Sequence, residues 1–200
     1  MLATLPLRLR NRLADTIIGA LHDRRALDDL AALAAGGDAI EAWGGEAVAH
    51  GSLLRERARR ASAALADRRL DAGPLTLRGA LDAAARLYEG GLFFEVHEVL
   101  EPLWRDAHGS DREALQGLIQ VAVGYQHLAN GNVPGARALL TDGAALLTGR
   151  RLEGVDLSPF AAAVRASAAG IGARAADDND VADGGGLARP PAFPRELRAT

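Results

Sequence analysis

Residues 76–104 read TLRGALDAAARLYEGGLFFEVHEVLEPLW, and this stretch predicts two helices joined by a glycine turn. Thr76 is suited to cap the first helix, because its hydroxyl can accept a hydrogen bond from a free backbone N–H of the first turn. We expect that helix to end at Glu89, before Gly90-Gly91, since glycine adopts positive φ without steric cost. The second helix is predicted over residues 92–107. Alanine, leucine and arginine are abundant in the chain, and they are strong helix formers.

Further helix signals follow along the chain. Ser110 and Glu113 have the spacing of a capping box and predict a long helix that ends near Ala129. Two more helices are predicted, Val133–Leu147 and a last one opened by Ser158-Pro159. Short loops between consecutive helices favour antiparallel neighbours. The sequence therefore predicts an all-α fold, with an antiparallel bundle of about five helices over residues 75–175.

The residues on either side of this bundle are predicted to form two separate segments. Residues 1–70 are predicted to form a helical extension, and Asp71–Pro74 is the predicted boundary. Within the extension we expect a first helix over Met1–His22, breaks at Gly36-Gly37 and Gly44-Gly45, and a longer helix over Ser52–Leu70. Residues 177–200 are rich in Asp, Gly and Pro, so we expect a disordered tail, or an extended tail docked through Leu187 and Phe193.

The composition of the 200-residue chain excludes several functional classes. With 26 acidic and 23 basic side chains and a net charge of -3, the chain lacks the positive excess of a dedicated nucleic-acid binder. It contains no cysteine, which excludes disulfides and thiolate metal sites and fits a cytoplasmic protein. No stretch approaches the roughly 18 apolar residues of a membrane span. We therefore expect no nucleic-acid and no membrane partner, and consider a homo-oligomer or a protein partner instead.

An arginine-rich run lies in the extension. Its members are Arg55, Arg57, Arg59, Arg60, Arg68 and Arg69. Because the chain carries a net negative charge, we interpret this run as a solvent-exposed helix face interrupted by Glu56 and Asp67, and not as an anion-binding surface.

The residues suited to chemistry lie on the second helix of the quoted stretch. At 3.6 residues per turn, His97, Glu101 and Trp104 occupy positions i, i+4 and i+7 and share one face. Phe94 lies just before them on the same face. This face therefore combines a base, an acid and aromatic rings.

The neighbouring sequence predicts a bent and closely packed helix. Pro102 removes a backbone N–H and crowds the carbonyl one turn earlier, so we expect a kink there. The following helix carries Gln116 and Gln120, which are one turn apart and within reach of the histidine–glutamate pair. Gly117 and Gly124 on that helix permit close backbone approach.

Three interpretations of the His97–Glu101 pair stay open. It can be a structural network in which His97 donates to Glu101 or a glutamine, anchored by Trp104. It can bind a divalent metal, because one helical turn presents the imidazole and the carboxylate together. Further ligands would come from Glu95, Glu98 or His127. It can also act as a general base, with a metal-bound water as the nucleophile of a hydrolase.

A longer pattern resembles a known family. It comprises Tyr88-x-x-Gly91-x-x-Phe94-Glu95-x-His97-Glu98-x-Leu100-Glu101-x-x-Trp104, then Leu115-Gln116-Gly117-Leu118-Ile119-Gln120 and Gly131-Asn132-x-x-Gly135-Ala136. Over about residues 75–174 this pattern is similar to the family known as domain of unknown function 309, whose hallmark is His, three residues, Glu, two residues, Trp. The resemblance implies a small all-helical domain with no established activity, and it suggests metal binding at the motif formed by His97, Glu101 and Trp104.

A second resemblance concerns tetratricopeptide-type helical hairpins. Two hairpins carry the pattern, the first as Ala84-x-x-Leu87-Tyr88-x-x-Gly91 and the second as Gly131 before Ala136. Their two glycines lie 40 residues apart, whereas the usual repeat is about 34 residues. This resemblance implies an alternative function, a non-enzymatic protein-interaction module in which the His–Glu–Trp cluster is a structural network.

Overall fold

The computed structural model describes residues 4–71, 73–177 and 190–195, and in these residues the chain forms ten helices and one short hairpin. The helices are α1 (Leu7–Gly19), α2 (Arg24–Ala35), α3 (Asp38–Glu41), α4 (Gly45–Ala49), α5 (Gly51–Leu65), α6 (Leu77–Glu89), α7 (Phe93–Asp106), α8 (Gly109–Ala129), α9 (Val133–Leu147) and α10 (Ser158–Asp177). The predicted all-α fold is confirmed. None of the helices in these ranges is long and apolar enough to cross a bilayer.

A hairpin between α9 and α10 is not predicted by the sequence pattern. Strand β1 (Arg151–Leu152) pairs antiparallel with β2 (Val155–Asp156). Glu153 and Gly154 form the two-residue turn with φ values of 49° and 82°, and positive φ at both positions suits the twist of paired strands. The first turn position is usually asparagine or aspartate and is glutamate here, so the sequence lacks the usual hairpin-turn pattern.

Of the N-terminal caps predicted for α6 and α8, the first is confirmed and the second is wrong. The Thr76 hydroxyl accepts a hydrogen bond of 3.1 Å from a backbone N–H of the first turn, so the predicted cap is confirmed. The predicted capping box of Ser110 and Glu113 is wrong, because α8 begins at Gly109 and the Ser110 hydroxyl lies 3.4 Å from the Asp111 carboxylate. Gly109 has a φ of 57°, which lets the chain enter the helix earlier.

The described residues form two compact units, and the division between them falls inside α7. The first unit ends at Val99 and the second begins at Leu100. The first contains α1–α6 and the start of α7. The second contains the end of α7, α8–α10 and the hairpin. The predicted domain boundary at residues 71–74 stays a prediction.

Four helices build the core of the first unit. α2 and α5 pack against each other, α1 packs on both, and α6 packs on α5. Aliphatic side chains with almost no exposure fill the space between them. They include Leu13 and Ile17 of α1, Leu30 and Leu33 of α2, Leu54, Ala58, Ala61 and Leu65 of α5, and Ala80, Ala84 and Leu87 of α6.

The arginine-rich run over residues 55–69 is only partly at the surface. Arg59 and Arg60 are exposed and donate to Glu56, and these hydrogen bonds lower the pKa of that carboxyl to about 2. The interpretation of the whole run as an exposed face is wrong for Arg57 and Arg68, whose side chains are 16% and 7% exposed. Arg57 lies one turn from the buried Leu54, on the packed side of α5. Arg68 lies beyond the end of α5, where its guanidinium donates to the backbone carbonyl of Leu21.

In the second unit, α8 and α9 form a closely packed antiparallel hairpin, and α10 packs on α9. Two glycines of α8 allow this approach. A Cβ atom on Gly117 would lie 2.8 Å from the Leu147 side chain, and one on Gly124 would lie 2.9 Å from the Leu140 side chain. The sequence pattern predicts this approach for α7, but the helix that packs on the two glycines is α9.

Beyond α10 the described residues are 190–195. Phe193 is buried there, and its ring centroid lies 5.7 Å from that of Phe160. This is one of the two contacts predicted for a docked tail. Leu187, the other predicted contact, lies outside the described residues, as does most of the segment predicted to be disordered.

Substitution of Gly143 by alanine tests the packing of α8 on α9. A Cβ atom at Gly143 would lie 2.9 Å from the backbone oxygen of Gly117. Because that backbone cannot move aside, we expect Gly143→Ala to lower the free energy of unfolding by about 1–3 kcal/mol, despite the better helix propensity of alanine.

Gly170→Ala in α10 is the matched control, because among the described residues no atom beyond the adjacent helix backbone lies within 4 Å of the added Cβ. We expect this variant to be as stable as the wild type or more stable, by up to about 1 kcal/mol. Chemical unfolding measures both changes, and equal effects of the two substitutions would contradict the close packing at Gly143.

Candidate metal centre

A cluster on one turn of α7 could hold a metal ion. His97, Glu98 and Glu101 each offer one ligand atom, and these atoms lie within 4.8 Å of one another. The three side chains are 30%, 32% and 27% exposed, so the cluster is half-buried and open to solvent. Because α7 is continuous through Pro102, a single helix sets the spacing of all three groups.

The His97 imidazole is held on two sides. Its Nδ1 lies 2.9 Å from Oε1 of Glu98, a hydrogen bond whose direction depends on the imidazole tautomer. Its ring stacks on that of Phe94, with centroids 6.5 Å apart and an angle of 29° between the planes. Phe94 in turn lies under the guanidinium of Arg10, 4.2 Å from the ring centroid. When Nδ1 donates to Glu98, the lone pair of Nε2 is the one free to bind a metal.

Glu101 is shared with an exposed arginine one turn later. Nη2 of Arg105 donates to Oε1 of Glu101 at 2.7 Å, and the Arg105 side chain is 63% exposed. Exposed pairs of this type stabilise a helix only weakly. The carboxylate can therefore exchange this partner for a stronger one at little cost.

The C-terminal end of α7 is fixed by Arg112. Its guanidinium lies 4.2 Å from the ring centroid of Trp104, and its Nη1 donates to the backbone carbonyls of Trp104 at 2.7 Å and of Arg105 at 3.1 Å. The last carbonyls of a helix have no partner within the helix, and a positive side chain stabilises them. Arg112 thus holds the turn that follows Glu101.

The hydrogen bonds around the motif differ from those of the predicted structural network. His97 pairs with Glu98, and Glu101 pairs with Arg105. Nε1 of Trp104 and Oε1 of Gln120 are buried without a hydrogen-bond partner among the described residues. Gln116, the other predicted partner, is half-buried on α8.

Two further predicted ligands have partners of their own. Glu95 is fully buried, and both of its carboxylate oxygens accept hydrogen bonds of 3.0 Å from Nη2 of Arg57. The side-chain amide of Asn132 donates to Nδ1 of His127 at 2.7 Å. Among the described residues, neither Glu95 nor His127 is part of the cluster on α7.

The donor set of the cluster fits a divalent cation. One imidazole nitrogen and carboxylate oxygens suit Zn²⁺, Mn²⁺ or Fe²⁺. Ligand atoms about 2.0–2.2 Å from one ion lie at most about 4.4 Å apart, so a small rotation of these half-exposed side chains is sufficient to close the site. Three protein ligands leave coordination positions for water or substrate.

Sequence reasoning missed the arginines around this cluster. The spacing of four residues between Glu101 and Arg105 is a signal that the sequence does contain. The contacts made by Arg10 and Arg112 depend on how the chain folds back on itself, so no local sequence pattern predicts them.

Comparison with known proteins identifies one domain. Residues 81–139 match the family model described as Domain of unknown function (DUF309). The matched residues run from α6 into α9 and include the whole cluster on α7. No curated protein and no solved structure shows significant similarity to this chain.

Proposed function

We propose that the DUF309 domain at residues 81–139 of this chain binds one divalent cation through the cluster His97, Glu98 and Glu101. The observation that supports the proposal is the geometry of the cluster: one imidazole and two carboxylates on one helical turn, with candidate ligand atoms within 4.8 Å of one another. No other part of the described chain brings three such groups together.

The roles of the three side chains follow from their hydrogen bonds. Glu101 binds the ion in place of, or beside, its weak contact with Arg105. His97 binds through a ring nitrogen. Glu98 is either a third ligand or the carboxylate that holds Nδ1 and fixes the tautomer, and carboxylates that orient a ligating histidine in this way strengthen metal binding about 10–100-fold.

A cation at this position supports hydrolysis. A bound metal lowers the pKa of its coordinated water and so generates a nucleophile near neutral pH. Because the cluster is open to solvent and supplies at most three protein ligands, water has access to the ion. We therefore propose metal-dependent hydrolysis as the reaction class, in a cytoplasmic protein.

The alternative function, a protein-interaction module with a structural His–Glu–Trp network, fits the hydrogen bonds less well. A structural network is expected to be buried and mutually paired. Here the side chains of His97, Glu98 and Glu101 are about one-third exposed, and Nε1 of Trp104 has no hydrogen-bond partner in the described part of the chain. These observations favour the metal site.

Calorimetric titration of the tag-free protein with Zn²⁺ and, separately, with Mn²⁺ tests the proposal. We expect one site per chain in the wild type, and at least a tenfold loss of affinity in His97→Ala, because the nitrogen ligand is removed. His22→Ala is the control: His22 is also partly exposed but lies outside the cluster, so its affinity should equal that of the wild type. Wild-type binding that His97→Ala leaves unchanged, or no binding at all, would contradict the proposal.

A further inference from the structure

We infer that the metal-loaded site takes a phosphorylated substrate, and that Arg105 is the residue that pairs with its phosphoryl group. This inference rests on the cation site proposed above and names the substrate class of that site. It is carried by the position of Arg105 and by the charge balance of the cluster.

Arg105 lies close enough to the proposed cation that both positive groups could contact one phosphoryl group. Its Nη2 is 2.7 Å from Oε1 of Glu101, so a cation bound to that carboxylate would lie at most about 5 Å from the guanidinium nitrogen. The side chain is 63% exposed, and its remaining N–H donors have no protein partner among the described residues. A guanidinium presents parallel donors that match two oxygens of one phosphoryl group.

The charge of the cluster changes sign when the cation binds. Glu98 and Glu101 carry two negative charges and Arg105 carries one positive charge, so the metal-free cluster and Arg105 together have a net charge of about -1. A divalent cation changes this to about +1. The site therefore attracts an anion more strongly when a cation is bound than when it is metal-free. A phosphate dianion, which can bridge the metal and the guanidinium, gains more than a monoanionic carboxylate does.

The C-terminal end of α7 lies near this site, and its partial negative charge is offset by Arg112. Carbonyls at a helix C-terminus carry partial negative charge and repel anions. In this chain the carbonyls of Trp104 and Arg105 accept hydrogen bonds from Arg112, whose positive charge offsets them. Arg112 is engaged in this way, whereas the side chain of Arg105 makes one hydrogen bond among the described residues, to the cluster residue Glu101.

Titration of the Mn²⁺-loaded full-length protein with inorganic phosphate tests the inference. We expect phosphate to bind the loaded wild type and not the metal-free protein. Arg105→Ala should weaken phosphate binding at least tenfold while leaving Mn²⁺ affinity unchanged or a few-fold tighter, because a positive charge next to the cation is removed. Arg105→Lys should recover part of the affinity, since it restores the charge without the paired donors.

Arg24→Ala is the matched control, because Arg24 also forms an exposed pair with an acidic residue four positions away, Asp28, outside the cluster. It should bind phosphate as the wild type does. Equal phosphate affinity in Arg105→Ala and the wild type, or acetate binding as tight as phosphate binding, would overturn the inference. If Mn²⁺ binds and phosphate does not, the inference fails and the cation site stands; if Mn²⁺ itself does not bind, both fail.

Discussion

We expect Arg57→Met to lower the free energy of unfolding by about 3–5 kcal/mol, because it leaves the carboxylate of Glu95 buried without a partner. Glu95 has no solvent exposure, and both of its oxygens accept hydrogen bonds from Nη2 of Arg57 at 3.0 Å. The Arg57 side chain is itself only 16% exposed. Water therefore cannot replace the guanidinium that the substitution removes, and denaturant unfolding monitored by circular dichroism measures the loss.

Two further variants separate the loss of the pair from the loss of packing. Arg57→Met/Glu95→Leu removes both charges and should recover most of the stability, since a buried ion pair is often no more stable than apolar residues of similar size. Arg59→Ala changes a neighbouring arginine that is 65% exposed and should alter stability by less than about 0.5 kcal/mol. If Arg57→Met were as stable as Arg57→Met/Glu95→Leu, the Glu95 carboxylate would not depend on Arg57 for its burial.

The second large effect is expected at Arg68. We expect Arg68→Ala to lower the free energy of unfolding by about 2–4 kcal/mol, because one buried guanidinium joins several segments of the first unit. Its nitrogens donate to the carbonyl of Leu21 at 3.2 Å, to the carbonyl of Gly79 at 3.4 Å and to the Asp71 carboxylate, and its Nε lies 3.6 Å from the Asp82 carboxylate.

Lysine should not replace this arginine. A single ammonium group cannot reach acceptors spread around a planar fork, so Arg68→Lys should retain most of the loss. Arg69→Ala is the control, because Arg69 is the exposed neighbour, and its effect should stay below about 0.5 kcal/mol. Full stability of Arg68→Lys in thermal and chemical unfolding would contradict the account of Arg68 as a multiple hydrogen-bond donor.

The contacts of Arg57 and Arg10 give the N-terminal helices a role next to the candidate site. Arg57 on α5 pairs with Glu95, and Arg10 on α1 lies over Phe94. These two partners are consecutive residues in the first turn of α7, directly before the cluster. The N-terminal helices therefore hold the turn from which His97 projects.

Local patterns were sufficient to predict α6 and α7 and to place His97 and Glu101 on one helical turn, whereas the helix predicted over Ser52–Leu70 ends at Leu65. The glycine turn and the Thr76 cap place α6 and α7 correctly, because both act within a few residues of where they occur. The spacing of His97 and Glu101 puts both on one helical turn whatever the tertiary structure is. Glu98 joins them because its side chain can reach the imidazole of the preceding residue.

Features that depend on distant parts of the chain were not predictable from one sequence. Arg57 and Glu95 lie 38 residues apart, and each taken alone resembles an ordinary surface charge. Gly117 and Gly124 signal a close approach but do not say which helix approaches, and that helix is α9. The periodicity of apolar and small residues identifies the packed face of a helix, whereas the tertiary fold decides which helix packs on that face.

The most direct test of the cation site is anomalous X-ray diffraction from zinc-soaked crystals of the tag-free protein, with data recorded on both sides of the zinc absorption edge. The account predicts one anomalous peak on α7, about 2.0–2.2 Å from a ring nitrogen of His97 and a carboxylate oxygen of Glu101. Crystals with excess zinc that show no peak at α7, or zinc bound only elsewhere on the chain, would contradict it.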